Sequence, residues 1–270
     1  MTLLHLLLMI KLLAQPTPTP ADIAWVAKGR FCEPETVLPL PDDTLLVSNV
    51  CNFAEKGTGF LSLLDGKGMI LDWRIVDHLD APLGMALVDG ALYLVDANRV
   101  RVFRWPGFSP VEIIKLDTVI SNDIAVAADG TIYVTDTAAN KVIKRAVDGT
   151  QSLLTGKTQF KGANGIALQD NLLYVGGARL WRVNLDSGQV TTVGPEWLAD
   201  IDGIEFEADG TLQITPVGGP LIRYRNEAEI DILAGKGVSS ANHGYSHSLG
   251  LALIPTGFDN TVVAIKIVLD

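Results

Sequence analysis

The chain has 270 residues, 48% of them hydrophobic and 19% charged, so it can bury a full core and is too apolar to be extensively disordered. Its formal net charge of -10, with no run of basic residues, excludes a surface built for nucleic acid and suits a protein that binds cations. No window has a convincing helical period and 26 glycines punctuate the chain, which favours a fold of short strands.

The first 20 residues differ in composition from the rest. The apolar run MTLLHLLLMIKLLA precedes a Pro/Thr-rich break, QPTPTP, which is typical of a secretory signal and linker. Lys11 interrupts this run, which is shorter than the about 20 apolar residues that a membrane span needs. We predict export to the periplasm or the extracellular space, no stable membrane span, and a folded domain over residues 21–270. A disordered N-terminal tail is the alternative.

The only two cysteines, Cys32 and Cys51, flank a hairpin pattern that turns near Asp42. A simple register puts Glu33 opposite Cys51, and a one-residue change in the turn would put Cys32 there instead. Cysteines that meet at the open end of a hairpin can form a disulfide in an oxidising compartment. We predict Cα atoms about 4.4–6.8 Å apart, with two buried free thiols as the alternative.

A hairpin unit recurs six times along the chain. Each unit reads as an inner strand, a tight turn, a second strand, another turn and a third strand, and the linking segment can supply a fourth. Four strands in roughly 40–45 residues are the signature of a β-propeller blade. The units begin at Glu35, Leu83, Asn122, Asn164, Asp202 and His243. We predict an all-β, six-bladed β-propeller with four-stranded blades, closed by a strand in DIAWVAKGRF. A β-sandwich would not have such regular spacing.

The first residue of each unit opens an innermost strand, so these six positions should form a ring around one mouth of the central channel. Four of them carry oxygen donors, namely Glu35, Asn122, Asn164 and Asp202. Hard oxygen ligands suit Ca²⁺, and the two carboxylates balance its charge. Each residue alone is an ordinary turn residue. The indication of a metal site is that four of them occupy the same position, the first, in the repeated unit.

The segments PETV, SNDIAV, GANGIAL and DIDGIEF resemble the blade starts of six-bladed calcium-dependent hydrolases of the gluconolactonase and regucalcin family, which are related to paraoxonase and diisopropyl fluorophosphatase. The resemblance covers nearly all of the chain after the N-terminal segment. It implies one catalytic Ca²⁺ held by Glu35, Asn122, Asn164 and Asp202. Relatives with a second, structural ion have an acid where this chain has Thr36, so we expect a single ion.

The chemistry implied by this resemblance is hydrolysis of a lactone or ester, or of a phosphotriester. Asp202 would attack the substrate or orient water, and Asn122 and Asn164 would contact both metal and substrate. His243, and His78 in a loop expected at the same mouth, are the candidates for proton transfer near neutral pH. We expect a monomer that acts on a small molecule.

Two other functions remain open. A non-catalytic, NHL-like propeller would be a binding platform, and the segments ANKVIKR and DNTVVAI resemble blade endings of that type. A strictosidine-synthase-like propeller would work without the calcium ligands. A binding platform has no need of two carboxylates aimed into its channel, which favours the hydrolase.

Overall fold

The protein is an all-β propeller of six antiparallel four-stranded sheets, in a computed structural model that describes residues 21–155, 159–235 and 241–268. The predicted fold class is therefore confirmed. None of the described residues belongs to a helix that could cross a membrane. The predicted signal segment, residues 1–20, lies outside the described ranges and stays a prediction.

Each sheet forms one blade, and the first five blades run outward from the channel in chain order. The chain enters with β1 (Ile23–Lys28). Blade 1 contains β2 (Pro34–Pro39), β3 (Leu45–Asn49), β4 (Gly59–Leu64) and β5 (Ile70–Leu79). Blade 2 contains β6 (Pro82–Val88), β7 (Ala91–Asp96), β8 (Arg99–Arg104) and β9 (Ser109–Lys115). Blade 3 contains β10 (Ser121–Val126), β11 (Ile132–Asp136), β12 (Lys141–Arg145) and β13 (Gln151–Leu153).

The next two blades repeat this plan. Blade 4 contains β14 (Ile166–Gln169), β15 (Leu172–Val175), β16 (Leu180–Asn184) and β17 (Val190–Val193). Blade 5 contains β18 (Ile201–Phe206), β19 (Leu212–Pro216), β20 (Leu221–Asn226) and β21 (Glu229–Ala234).

Blade 6 closes the ring with strands from both ends of the folded chain. It contains β22 (Gly244–Ser246), β23 (Leu251–Thr256), β24 (Thr261–Lys266) and, on the outside, β1. The antiparallel pairing of β1 with β24 confirms the closing role predicted for DIAWVAKGRF. Because the first and last strands share one sheet, the ring cannot open without breaking that sheet.

Apolar side chains fill the spaces between adjacent blades. Six buried clusters account for the core of the described residues, one at each contact between neighbouring blades. The alternation of side chains along a strand produces this arrangement. In β7, Leu94 packs toward blade 1, whereas the next residue, Val95, packs toward blade 3.

Cys32 and Cys51 form the predicted disulfide, with Cα atoms 4.7 Å apart. The turn of this hairpin keeps the simple register, so the one-residue change does not occur there as suggested from the sequence. It occurs at a bulge between Pro34 and Val37. Beyond the bulge, the Cys51 N–H donates to the Cys32 carbonyl (3.1 Å). The disulfide thus ties the loop entering β2 to the loop leaving β3.

A buried polar residue at the end of the second strand holds the loop that leads into the innermost strand. Asp136, at the end of β11, accepts hydrogen bonds from the backbone N–H groups of Val119 (2.9 Å) and Ile120 (3.1 Å). Asp96 and Asn49 occupy the equivalent positions in blades 2 and 1 and bond the equivalent loops. These side chains fix the loops from which the ring residues project.

Replacing Asp136 with Ala should lower the free energy of unfolding by about 2–5 kcal/mol, because three backbone N–H groups lose their acceptor. Urea denaturation monitored by tryptophan fluorescence measures the loss. Asp148→Ala is the matched control, since Asp148 is exposed and caps only its own turn. The control should cost far less, and equal losses in the two variants would contradict the supporting role of Asp136.

Candidate functional site

Four of the six ring positions lie at bulges where the innermost strands begin. In β2, β6, β10 and β18, the pairing with the second strand shifts register at this point. In β10 the shift falls between Ser121 and Ile124, which leaves Asn122 and Asp123 outside the regular ladder. Bulges re-aim side chains and are common beside functional sites.

Hydroxyl groups on the second strands satisfy the backbone groups that the bulges release. The Thr36 N–H donates to Ser48 Oγ (3.0 Å), and the Asp123 N–H donates to Thr135 Oγ1 (2.9 Å). Thr135 Oγ1 also donates to the Asn164 carbonyl of the next blade (2.6 Å). The last of these bonds ties the bulged segment of blade 3 to the segment that precedes the innermost strand of blade 4.

Glycines behind the ring allow the innermost strands to approach closely. The second residues of the six units are Thr36, Gly84, Asp123, Gly165, Gly203 and Gly244. A methyl group on Gly84 would overlap the Asp123 carboxylate, and one on Gly165 would overlap the Asp202 carbonyl. Only residues without a Cβ leave enough room for these contacts.

Three buried acidic side chains lie at the mouth, and the charges of two of them contribute to raised pKa values. Burial raises the pKa of Glu35 well above its usual value, and the charges of Asp202 and Asp123 add to the rise. A hydrogen bond from Thr36 Oγ1 to Glu35 (2.6 Å) opposes it. Burial also raises the pKa of Asp202 to about 7, with the charge of Asp123 as the second cause. These three acids from three blades therefore lie in one small region.

Asp123 and Glu205 extend the acidic region. Burial raises the pKa of Asp123 to about 7, although the N–H groups of Ile166 (2.9 Å) and Ile124 (2.8 Å) and the Asn242 side chain donate to it. Burial likewise raises the pKa of Glu205 to about 8, and the Asp123 charge contributes. Without a counterion, this end of the channel favours protonated carboxyl groups.

Four polar atoms of the ring are buried without a hydrogen-bond partner: Asn122 Oδ1, Asn164 Oδ1, Asp202 Oδ1 and His243 Nε2. Only three other side-chain atoms in the described part of the chain are in this condition. Each unpaired buried polar atom costs about 1–3 kcal/mol. Their concentration in one ring points to a ligand that would bind there.

Hydrogen bonds determine which end of each amide remains unpaired. Asn122 Nδ2 donates to Thr137 Oγ1 (3.3 Å), and the Asn164 side chain donates to the Asp202 carboxylate. The NH₂ ends are engaged, so the oxygens are left for a ligand, and such oxygens fit Ca²⁺. No group of three or more His, Cys, Asp or Glu side chains is arranged to hold a metal among the described residues. A cation here would therefore depend on both amides.

His243 belongs to the ring but is unsuited to the proton transfer expected of it. Its side chain is buried, and Nδ1 lies 2.9 Å from Thr215 Oγ1. Burial lowers the pKa of His243 to about 3, so the imidazole is neutral at pH 7. His78 lies in the outermost strand of blade 1, and is exposed there, so the expectation of a mouth loop was wrong.

Two pockets open beside the ring. One, with a volume of about 480 Å³, reaches Glu35 and Leu83. The other, of about 310 Å³, is lined by Asn164 together with the charged residues Lys161 and Asp200. Both volumes are within or near the range of small-molecule sites.

The four predicted ligands lie at the same end of the channel, as expected from their shared first position in the repeated unit: Glu35, Asn122, Asn164 and Asp202. Their role as metal ligands stays a prediction. Asp123, Asn242 and Glu205 were not identified as site residues from the sequence. A signal existed for Glu205, since the fourth residues of the units are Leu38, Ala86, Ala125, Ala167, Glu205 and Ser246. An acid in this small or apolar series is out of place unless it has a role in the channel.

No protein-family model matches the chain, and no curated protein matches its sequence. Among solved structures, it is similar to a protein provisionally named a gluconolactonase, with 17% identity, a TM-score of 0.68 and 93% of each chain covered. It is also similar to virginiamycin B lyase from Staphylococcus aureus, with 12% identity, a TM-score of 0.64, and 92% of this chain and 98% of the lyase covered. A catalytically inactive variant of that lyase with quinupristin gives 14% identity and a TM-score of 0.62, with 90% of this chain and 98% of the variant covered. At these identities the likeness shows the fold alone.

The metal-free protein should lose stability as the pH rises from about 4 to about 7, because four buried acids with raised pKa values outweigh the one buried histidine, His243, whose lowered pKa acts in the opposite direction. Burial raises the pKa of Asp123 and of Asp202 from 3.8 to about 7, so the folded state binds protons more tightly than the unfolded state. The contribution of these two carboxyl groups to stability is therefore fully present below their pKa in the unfolded state. It is lost as the pH rises through their pKa in the folded state. Thermal unfolding in chelator across this interval measures the effect.

The double variant Asp123→Asn/Asp202→Asn should reduce this dependence, because neither amide ionises, while Glu35 and Glu205 still do. A melting temperature of the metal-free wild type that stays constant or rises over the same interval would contradict the burial of these acids.

Proposed function

We propose that the protein is an exported, calcium-dependent hydrolase of lactones or esters, with one Ca²⁺ bound by Glu35, Asn122, Asn164 and Asp202. The observation that carries this proposal is the set of three side-chain oxygens, from Asn122, Asn164 and Asp202, that are buried without a partner. They come from three blades, so no single turn explains them. The likeness to the provisionally named gluconolactonase supports this class at the level of the fold.

The charge balance at the mouth supports a dication. Glu35 and Asp202 supply two negative charges when ionised, and burial without a counterion raises the pKa of each. A bound cation would reverse that shift, since a metal ion is the largest local charge in its site. Ca²⁺ takes 6–8 oxygens, so four side chains leave positions for water and substrate.

When bound, Ca²⁺ would polarise the substrate carbonyl and stabilise negative charge on its oxygen. Asp202 would orient the attacking water and accept its proton, because Asn164 holds the carboxylate while Oδ1 stays unpaired. As the acyl C–O bond breaks, the released alkoxide oxygen would take up this proton, which regenerates the carboxylate. His243 would hydrogen-bond the substrate through Nε2 while Thr215 holds the other ring nitrogen. In this assignment His243 is a neutral binding group, and Asp202 is the proton acceptor.

Export is part of the proposal. The Cys32–Cys51 disulfide supports it, because such bonds persist in oxidising compartments and are rare in the cytosol. The signal-like composition of residues 1–20 agrees with it.

Glu35→Gln should weaken calcium binding at least tenfold and lower kcat/KM for a lactone or aryl ester by about 100-fold or more, because it removes half of the countercharge. Calcium at about 100 times its Kd should stabilise the wild type by about 2.7 kcal/mol, and chelator should abolish hydrolysis and this gain together. Glu196→Gln, the same change on an exposed loop, should alter neither property.

Isothermal titration with calcium, thermal unfolding and a lactone panel in heavy-oxygen water provide the measurements. Hydrolysis incorporates one oxygen from water into the product, whereas a lyase reaction, as the name of the second neighbour suggests for that protein, incorporates none. Absence of calcium binding together with an unaltered Glu35→Gln variant would contradict the proposal and favour the binding platform.

A further inference from the structure

The 480 Å³ pocket beside Glu35 has a predominantly apolar wall. Its apolar side chains are those of Pro34, Val50, Phe53, Leu83, Ala241 and Phe258. Glu35 lines the same pocket, so a molecule bound there touches the proposed calcium site directly. The charged side chains of this pocket, Glu33 and Glu35, are both acidic, whereas the pocket of about 310 Å³ has the cationic Lys161 as well as Asp200 in its wall. The two sides of the mouth therefore offer different chemistry.

The antiparallel order of the blades puts the two phenylalanines at the mouth. Phe53 lies in the connection between β3 and β4, and Phe258 lies in the connection between β23 and β24. In a sheet whose innermost strand starts at the mouth, the connection between the second and third strands returns to that same end. Both side chains thus flank the start of β2, where Glu35 lies.

The wall of this pocket is held in place by bonds that do not depend on a ligand. The Cys32–Cys51 disulfide anchors the loop that carries Phe53. The Glu33 N–H donates to Asn260 Oδ1 (2.7 Å), which joins the entry of β2 to the loop that carries Phe258. A pocket with pre-positioned walls spends little free energy on ordering when it binds.

Phe53 and Phe258 are 55% and 92% exposed. Leu83, the next ring position after Glu35 along the chain, is the one ring residue without a hydrogen-bonding side chain. Aromatic side chains of this size gain free energy when an apolar group covers them. Hydroxyl groups of a sugar lactone would find few partners on these side chains and would lose hydrogen bonds with water.

We propose that this pocket selects substrates with an alkyl or aryl substituent and that Phe53 and Phe258 determine the selectivity. The inference rests on the proposed hydrolase function and adds the substrate class to it. The reacting carbonyl would lie at Glu35, with the substituent along the phenylalanine wall and the polar part of the molecule toward Lys161.

A series of γ-lactones with side chains from methyl to hexyl tests this proposal in the calcium-loaded, full-length protein. kcat/KM should rise about two- to fourfold for each added methylene while the chain still fits the pocket. The double variant Phe53→Ser/Phe258→Ser should flatten this dependence. Val147→Ser removes another exposed apolar side chain, 64% exposed, from a turn at the other end of blade 3, and this control variant should keep the chain-length dependence.

Lactams with the same side chains separate this inference from the hydrolase proposal, because they occupy the pocket without turnover. Their affinities, measured by isothermal titration calorimetry, should rise with chain length in the wild type and not in the double variant. Hydrolysis without chain-length dependence, or a dependence that survives in the double variant, overturns the inference. If no lactone is hydrolysed, the hydrolase proposal fails, and the lactam series alone decides whether the pocket binds apolar groups.

Discussion

The close approach of six innermost strands around one channel is the constraint on which the rest of this structure depends. Gly84 and Gly165 permit it, because any side chain at these positions would overlap an atom of the neighbouring blade. The same closeness removes water from the polar side chains at the mouth, and burial is the largest cause of the raised pKa values of Glu35, Asp123 and Asp202. The geometry that completes the propeller thus also creates a region that favours a cation or bound protons.

The outer parts of each blade hold this region in shape. Apolar layers between blades keep the six sheets together, and Asp136 and its equivalents fix the loops at the mouth. Bulges then move four of the ring side chains out of the regular ladder. Ser48 and Thr135 bond the backbone groups that two of these bulges release. The stability of the loops and the geometry of the site are therefore coupled, and a substitution at Asp136 should change the position of Asn122.

The number of blades and the six residues of the ring could be predicted, because both follow from a hairpin that recurs at nearly constant spacing. Closure by the N-terminal strand could also be predicted, since one strand was missing from the last unit. Asp123 and Asn242 were missed because their contacts cross between blades. An alignment of the six repeat units compares equivalent positions and does not reveal such contacts. The supporting residues had a readable signal, namely the polar residue that ends LLVSN, LYLVD and IYVTD. The pKa of His243 depends on the depth of its burial, which no local pattern reveals.

A crystal structure from calcium-containing solution, with anomalous diffraction to identify the ion, tests the central claim most directly. The account predicts one peak at the channel mouth, about 2.3–2.6 Å from oxygens of Glu35, Asn122, Asn164 and Asp202. The peak should be absent from crystals grown in chelator. A mouth that holds only water at saturating calcium, or an ion bound elsewhere while these four side chains bond one another, would contradict it.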